Sequence, residues 1–271
     1  MQEQQRYFPD ANRVGVLAAV VLLTYALNRL VKAPGVTLTL DLPGFYFAYP
    51  LTLSTAMTLM ASGLTATGMD WLLRGHPSLQ GRRTIEHWLL PTLTAFILGI
   101  LLDILPIGPS WWIGFALSAG ILISVYLAEY ITVDPGASAY PVASAGLAAL
   151  SYALFFLLVI AFRTAGARLF VIIPGIFLAA GLVSLRTLHL RLSGRWEYPW
   201  AIGIGIVSAQ IAGGLHYWPL SPVQFGLILL GPLYALTTLA YSIGEDIPVR
   251  RALAEPGIIL ALSWGTAIFL R

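Results

Sequence analysis

Long apolar stretches without a charged residue recur along this sequence and predict that the chain crosses a membrane. The segments Leu42–Met69, Pro135–Phe162 and Tyr198–Gly244 contain no Asp, Glu, Lys or Arg. One helical crossing needs about 20 mainly apolar residues, so runs of this length are typical of membrane spans rather than of a soluble core. The sequence therefore predicts an all-α, polytopic bundle of transmembrane helices that forms one integral membrane domain over residues 1–271.

The boundaries of the spans follow from the positions of charged residues, glycines and prolines. The longest charge-free run is divided near Pro219 and Pro222, because proline cannot continue the hydrogen-bond ladder of a helix. This division gives about nine predicted spans. They are Val14–Leu30, Tyr49–Met69, His87–Leu102, Trp111–Tyr130, Pro141–Phe162, Leu169–Leu190, Tyr198–Gly214, Val223–Ile243 and Gly257–Leu270.

The basic residues are distributed unevenly between the two ends of these spans. With nine crossings, ten of the 15 Lys and Arg residues fall on the side of the N-terminus and five on the opposite side. Cytoplasmic loops of membrane proteins carry an excess of Lys and Arg. We therefore predict insertion in the cytoplasmic membrane, with the N-terminus inside and the C-terminus outside.

The stretch between the first two predicted spans has a different period. From Val36 to Leu42 apolar and polar residues alternate, which is typical of a β-strand. The Pro43-Gly44 pair that follows suits a type II turn, and an aromatic segment comes next. The pattern predicts a short β-hairpin at the outer membrane surface, either as a lid over helix ends or as a docking or ligand-gating element.

Composition excludes several kinds of site. Hydrophobic residues make up 58% of the chain, charged residues only 10%, and cysteine is absent, which excludes disulfides, thiolate catalysis and thiolate-bound metal. The four histidines are scattered without metal-binding spacing, and no nucleotide-binding motif is present, so we expect neither a metal nor a cofactor. The basic excess is typical of contact with lipid headgroups, not with nucleic acid. The expected partners are membrane lipids and, if the protein is part of an assembly, other membrane-protein subunits.

Four ionisable residues lie within or at the ends of predicted spans: Glu129, Arg186, His189 and Asp103. A charged group at the centre of a membrane helix costs about 2.5–3.5 kcal/mol on insertion scales, so such residues are functional candidates. Their depths predict that Glu129 meets Arg186, with His189 one turn further toward the cytoplasm. This group is either a proton relay or anion site, or an ion pair that fixes helix register. Asp103 lies at the depth of two outer-loop arginines, with which it can pair.

Two further groups are candidates for binding or chemistry. Asp70, Glu86 and His87 form a polar patch at the cytoplasmic rim, suited either to acid–base chemistry on a lipid headgroup or to plain contact with the interface. The second predicted span also carries hydroxyl groups along one face, which either line a permeation path or bond back to the helix backbone. This polar stripe consists of Thr55, Thr58, Ser62 and Thr65.

Small residues recur every four positions in the seventh predicted span. Gly205, Ala209 and Gly213 bring a neighbouring helix backbone close, either within the chain or in a subunit contact. Because polar groups are scarce at membrane depth, the sequence favours a non-enzymatic accessory or structural subunit of a membrane assembly. The alternatives are a transporter or channel for a small or amphipathic solute, and a membrane enzyme that acts on a lipid headgroup at the cytoplasmic rim.

Overall fold

Long α-helices occupy the charge-free stretches of the sequence. The computed structural model describes residues 9–31, 35–42, 45–79, 84–192 and 194–270. Within these ranges the helices are α1 (Ala11–Leu30), α2 (Leu53–Leu73), α3 (Leu89–Ile104), α4 (Pro109–Ile131), α5 (Tyr140–Thr164), α6 (Leu169–Arg191), α7 (Tyr198–Leu215), α8 (Pro222–Gly244), α9 (Val249–Ala252) and α10 (Ala254–Phe269). A 3₁₀ turn, Ile85–His87, precedes α3. The all-α interpretation is thereby confirmed.

Eight segments of the described chain are long and apolar enough to cross a membrane. They are Ala11–Leu30, Ile85–Ile104, Pro109–Ile131, Tyr140–Thr164, Leu169–Arg191, Tyr198–Leu215, Pro222–Gly244 and Arg250–Phe269. The protein is therefore an integral membrane protein with about eight spans. The orientation in the membrane and the kind of membrane stay predictions.

Helix α2 accounts for the difference from the nine spans that the sequence predicts. It has 21 residues, which is about 31 Å of helix and long enough to cross. Its Ser, Thr and Gly residues, however, make it less apolar than the other eight segments, and α2 is absent from the candidate spans. The predicted second span is thus a helix whose crossing is not established by its composition.

Two short strands lie between α1 and α2. Strand β1 (Val36–Leu42) pairs antiparallel with β2 (Phe45–Leu51), and Leu42 lies opposite Phe45. The alternating segment of the sequence is therefore extended. The expected type II turn at residues 43–44 lies outside the described residues.

The chain divides into two units, Met1–Val133 and Asp134–Arg271. In the first unit α2 packs against α1 and α3, and α4 also packs against these two helices. Buried apolar side chains fill the space between them, among them Val21, Ala61, Leu72, Leu122 and Tyr126. The 3₁₀ turn before α3 packs in this unit, and its backbone is held by the His87 amide, which donates to the Thr84 carbonyl oxygen at 3.0 Å.

In the second unit α6 packs along α7, α8 packs along α10, and α5 contacts both α6 and α8. The small residues of α7 explain part of this packing. A Cβ atom at Gly205 would lie 2.8 Å from the Phe177 carbonyl oxygen, so the two helix backbones approach closely there. The close approach predicted for this face of α7 is thus found inside the unit, against α6.

Candidate functional site

Glu86, His87 and Glu129 form a connected acid–histidine chain in the first unit. The His87 Nδ1 atom lies 2.8 Å from the Glu129 Oε2 atom, which is a hydrogen-bond distance. The other ring nitrogen, Nε2, lies 3.4 Å from the Glu86 Oε1 atom, which is within ion-pair distance but longer than a typical hydrogen bond. Each nitrogen of the imidazole therefore faces a carboxylate.

Local structure brings these three side chains together. Glu86 and His87 lie in the 3₁₀ turn that leads into α3, and Glu129 lies in the last turn of α4. Since α3 packs against α4, the start of one helix meets the end of the other. Glu129 and His87 are 42 positions apart in sequence, so only this helix packing makes them partners.

Burial increases along the acid–histidine chain. The exposed fraction of the side chain falls from 33% at Glu86 to 5% at His87 and 0% at Glu129. The Thr132 hydroxyl donates to the Glu129 backbone carbonyl oxygen at 3.0 Å and lies 3.4 Å from its Oε2 atom. A buried carboxyl group is disfavoured without hydrogen-bond partners, and the His87 and Thr132 side chains supply such partners to Glu129.

This geometry suits proton transfer. A neutral imidazole carries a proton on one nitrogen and accepts on the other, so a histidine can take a proton from a carboxylic acid on one side and release one to a carboxylate on the other. A histidine oriented by a buried carboxylate can also act as a general base on a substrate. Here, however, the outward nitrogen of His87 faces Glu86, and the ring is almost fully buried, which favours transfer along the chain.

Asp70 contacts the polypeptide that carries the acid–histidine chain. The Thr84 hydroxyl donates to Asp70 Oδ1 at 2.6 Å, and the Arg74 guanidinium binds Oδ2 at 2.7 Å. The Thr84 hydrogen bond lowers the pKa of the Asp70 carboxyl, which lies beyond the apolar part of α2. Asp70 therefore ties the end of α2 to the segment just before Glu86 and His87.

A second polar group, the hydroxyl cluster, lies inside the second unit and consists of Tyr152, Thr187, Tyr234 and Thr238. The Tyr152 and Tyr234 rings are 5.2 Å apart, and the Tyr152 hydroxyl lies beside Thr187. The hydroxyl oxygens of Tyr152, Thr187 and Thr238 are buried and have no partner at good hydrogen-bond geometry within the described structure, although Tyr152 lies near Thr187 and Thr237, and Tyr234 lies near Thr238. Tyr234 donates instead to the Glu255 Oε1 atom at 2.8 Å.

Most other buried hydroxyls in these helices behave differently. Thr24, Thr94, Ser151 and Thr237 each donate to the carbonyl oxygen four residues earlier, as expected for a hydroxyl in an apolar helix. The hydroxyl cluster thus holds groups that can still donate and accept hydrogen bonds. The sequence analysis missed it, although the spacing of residues 234, 237 and 238 places three hydroxyls on one face of α8.

Most of the chain matches the model of one protein family. Residues 33–270 match the family model described as a protein of unknown function, DUF5656. The chain belongs to the DUF5656 family. No curated protein and no solved structure matches it.

In this DUF5656 protein the structure places the predicted candidate residues at separate positions. Glu129, expected beside Arg186, has His87 of the rim patch as a partner. Arg186 and His189 are buried in the second unit, where the His189 ring packs 4.3 Å from the Trp196 ring. Asp103 is exposed at the end of α3. Pairing of Glu129 with Arg186, and of Asp103 with an arginine, stays a prediction.

Three hydroxyl groups of the polar stripe on α2 make hydrogen bonds within their own helix or with its N-cap residue. Ser62 donates to the Thr58 carbonyl oxygen at 2.9 Å, and Thr65 donates to the Ala61 carbonyl oxygen at 2.8 Å. Thr55 contacts the Thr52 side chain that caps the helix. These contacts favour hydroxyls that bond back to their own helix over a permeation path.

Proposed function

We propose that this DUF5656 protein is a proton-coupled transporter for a small or amphipathic solute. The observation that carries the proposal is His87, whose two ring nitrogens face one partly exposed and one fully buried carboxylate. In this proposal Glu86 exchanges protons with water, His87 passes them on, and Glu129 is the buried group that is loaded and unloaded.

In this proposal, protonation of Glu129 couples proton movement to the conformational change that moves the solute. A neutral carboxyl is tolerated in an apolar interior far better than a carboxylate, which needs charged or hydrogen-bonding partners. Binding a proton therefore changes the relative free energy of conformations that expose Glu129 and conformations that bury it. A proton can drive a conformational change only if it binds the two conformations with different affinity.

The hydroxyl cluster supports the solute-binding part of the proposal. Its hydroxyls come from α5, α6 and α8, and three of their oxygens are buried without a hydrogen bond within the described residues. Such groups can replace the water molecules that a polar solute loses on entering the protein.

Two other functions are less well supported by the same observations. The expectation of an accessory or structural subunit was motivated by a scarcity of polar groups at membrane depth, whereas each unit contains a buried polar group. The expectation of an enzyme acting on a lipid headgroup needs an open face on His87, whose ring is almost fully buried.

Infrared difference spectroscopy between acidic and alkaline pH tests the relay. We expect a signal of a protonated, buried carboxyl that disappears in Glu129→Gln and persists in Asp103→Asn, the exposed control. A signal that is unchanged in Glu129→Gln would disprove the relay.

Proteoliposomes with a trapped pH-sensitive dye test the transport itself. The low-molecular-weight fraction of a cell extract, added to one side, supplies the solute. We expect extract-dependent proton movement with the unmodified protein and with Asp103→Asn, and a decrease of about tenfold or more in Glu129→Gln, in line with the loss of a proton-transfer group. If Glu129 titrates but the extract moves no protons, the transporter proposal is wrong and a non-transporting subunit is favoured.

A further inference from the structure

Arg13 is a half-buried arginine whose guanidinium has no acceptor among the described residues. It is the third residue of α1, and its side chain makes neither a hydrogen bond nor an ion pair within the described structure. Arg29 and Arg163 are also half-buried, but each donates to a backbone carbonyl oxygen, at 2.9 Å and 2.6 Å respectively. The Asp10 carboxylate, close in sequence, accepts instead from the Asn12 amide at 2.9 Å. Arg13 therefore keeps its hydrogen-bond donors for another group.

Three residues of the first unit surround the Arg13 guanidinium. Its Cζ atom lies 5.2 Å from the centre of the Trp71 ring, which is a cation–π contact. A Cβ atom at Gly75, two residues past the end of α2, would lie 2.7 Å from the Arg13 Nη1 atom. The guanidinium thus occupies space that only glycine leaves open. Tyr130 lies within electrostatic range of the same group. We call Arg13, Trp71, Gly75 and Tyr130 the Arg13 site.

Tyr130 brings a second donor to the Arg13 site. Its side chain is only 6% exposed, and its ring centre lies 4.5 Å from that of His76. The Tyr130 hydroxyl makes no hydrogen bond within the described structure, although a buried hydroxyl without a partner is disfavoured. A positive charge, guanidinium N–H groups and a phenol O–H thus lie close together, without an acceptor from the described residues. This combination favours an anion with several acceptor oxygens.

The Arg13 site lies where helices of the first unit reach the membrane surface. Arg13 is near the start of the candidate span Ala11–Leu30, and Tyr130 is near the end of the candidate span Pro109–Ile131. Trp71, in the last turn of α2, is 44% exposed, as is typical of tryptophan at a membrane interface. The ends of membrane spans meet the lipid headgroups, so the anions present at this depth are lipid phosphates.

We infer that the Arg13 site binds the phosphate group of a membrane phospholipid. The planar guanidinium presents parallel N–H groups that match two phosphate oxygens, and the Tyr130 hydroxyl donates to a further oxygen. The exposed ring of Trp71 packs on the apolar part of the lipid next to the headgroup. This binding does not depend on the acid–histidine chain or on transport.

Native mass spectrometry of the full-length protein in detergent tests the ligand. We expect saturable binding of phosphatidylglycerol and much weaker binding of a diacylglycerol with the same acyl chains, which lacks the phosphate. Arg13→Gln should lower the phosphatidylglycerol affinity by roughly tenfold, the effect of losing hydrogen bonds to a charged group. Arg168→Gln, which removes an exposed arginine at the start of α6, is the matched control and should not change it. Equal binding of the two lipids, or equal affinities of the two variants, would overturn the inference.

Three milder substitutions separate lipid binding from a role of Arg13 in packing. Arg13→Lys keeps the charge without the planar fork and should retain part of the affinity. Gly75→Ala displaces the guanidinium and should weaken binding, and Tyr130→Phe should weaken it by roughly threefold through loss of one hydrogen bond. A packing role alone predicts lower melting temperatures without lipid and unchanged phosphatidylglycerol affinity, and this result would disprove the site. Displacement of the lipid by inorganic phosphate would overturn the lipid as ligand and assign the site to a free phosphate compound.

Discussion

At the scale of single residues, Glu129 shows how a partner determines the role of a buried charge. Its position in a predicted span identifies it as a candidate, because ionisable groups at that depth are rare and costly. Its partner His87 belongs to a different candidate group in the sequence analysis, since the order of residues along the chain does not reveal which helix ends meet. The structure thus places Glu129 beside His87 and near Glu86, while its predicted pairing with Arg186 stays a prediction.

Removal of the Glu129 carboxylate should destabilise the protein. We expect Glu129→Ala to lower the free energy of unfolding by about 1–3 kcal/mol, because the buried Nδ1 atom of His87 loses the hydrogen bond to Glu129. Glu129→Gln should cost less, since its amide oxygen can still accept a hydrogen bond from the ring. Denaturant unfolding in detergent measures both changes, and Asp103→Ala, at an exposed site, is the control. Equal stability of Glu129→Ala and Asp103→Ala would contradict the buried hydrogen bond.

At the scale of helices, small residues decide which faces pack inside the protein. Gly205 and Gly203 are two positions apart on α7, yet a Cβ atom would contact the α6 backbone at the first and nothing at the second. The sequence identified the helical spacing of small residues. It did not distinguish the face that packs on α6 from the face that stays exposed, because both contain glycine.

Substitution of Gly205 tests the close approach of α6 and α7. In Gly205→Ala the new methyl group would lie 2.8 Å from the backbone oxygen of Phe177, so the helices must separate. We expect destabilisation by about 1–3 kcal/mol, the usual cost of overpacking. Gly146→Ala on α5 meets open space and should be neutral or stabilising, because alanine favours a helix. Thermal unfolding in detergent compares the two variants, and a Gly205→Ala protein as stable as Gly146→Ala would disprove the tight contact.

At the scale of the whole molecule, the path through the membrane depends on α2. The predicted orientation places the N-terminus inside and the C-terminus outside, which requires an odd number of crossings. Within the part of the chain that the structure describes, eight segments are apolar enough to cross by composition alone, and α2 would be the ninth. We expect α2 to cross, because it is 21 residues long and its buried hydroxyls at residues 62 and 65 donate to its own backbone.

Cysteine labelling on intact and opened cells tests this path. Thr39→Cys and Ser78→Cys lie before and after α2, and the natural sequence contains no cysteine to interfere. We expect an impermeant reagent to label residue 39 from outside and residue 78 only after the cells are opened. Labelling of both from one side would show that α2 does not cross, and that the two ends of the chain face the same compartment.

Much about this protein follows from the sequence by itself. Long apolar runs with only 10% charged residues establish membrane insertion and helical structure, because an unpaired backbone is not tolerated in hydrocarbon. The same scarcity of charges identifies Glu129, Arg186 and His189 as unusual residues. These are properties of local composition, and local composition is fully present in the sequence.

Only the tertiary structure decided which of these groups act together. His87 meets Glu129 because the start of α3 packs beside the end of α4, and the hydroxyl cluster exists because α5, α6 and α8 turn polar faces toward one another. Each of these features depends on contacts between residues far apart in sequence, which hydrophobic periodicity does not specify.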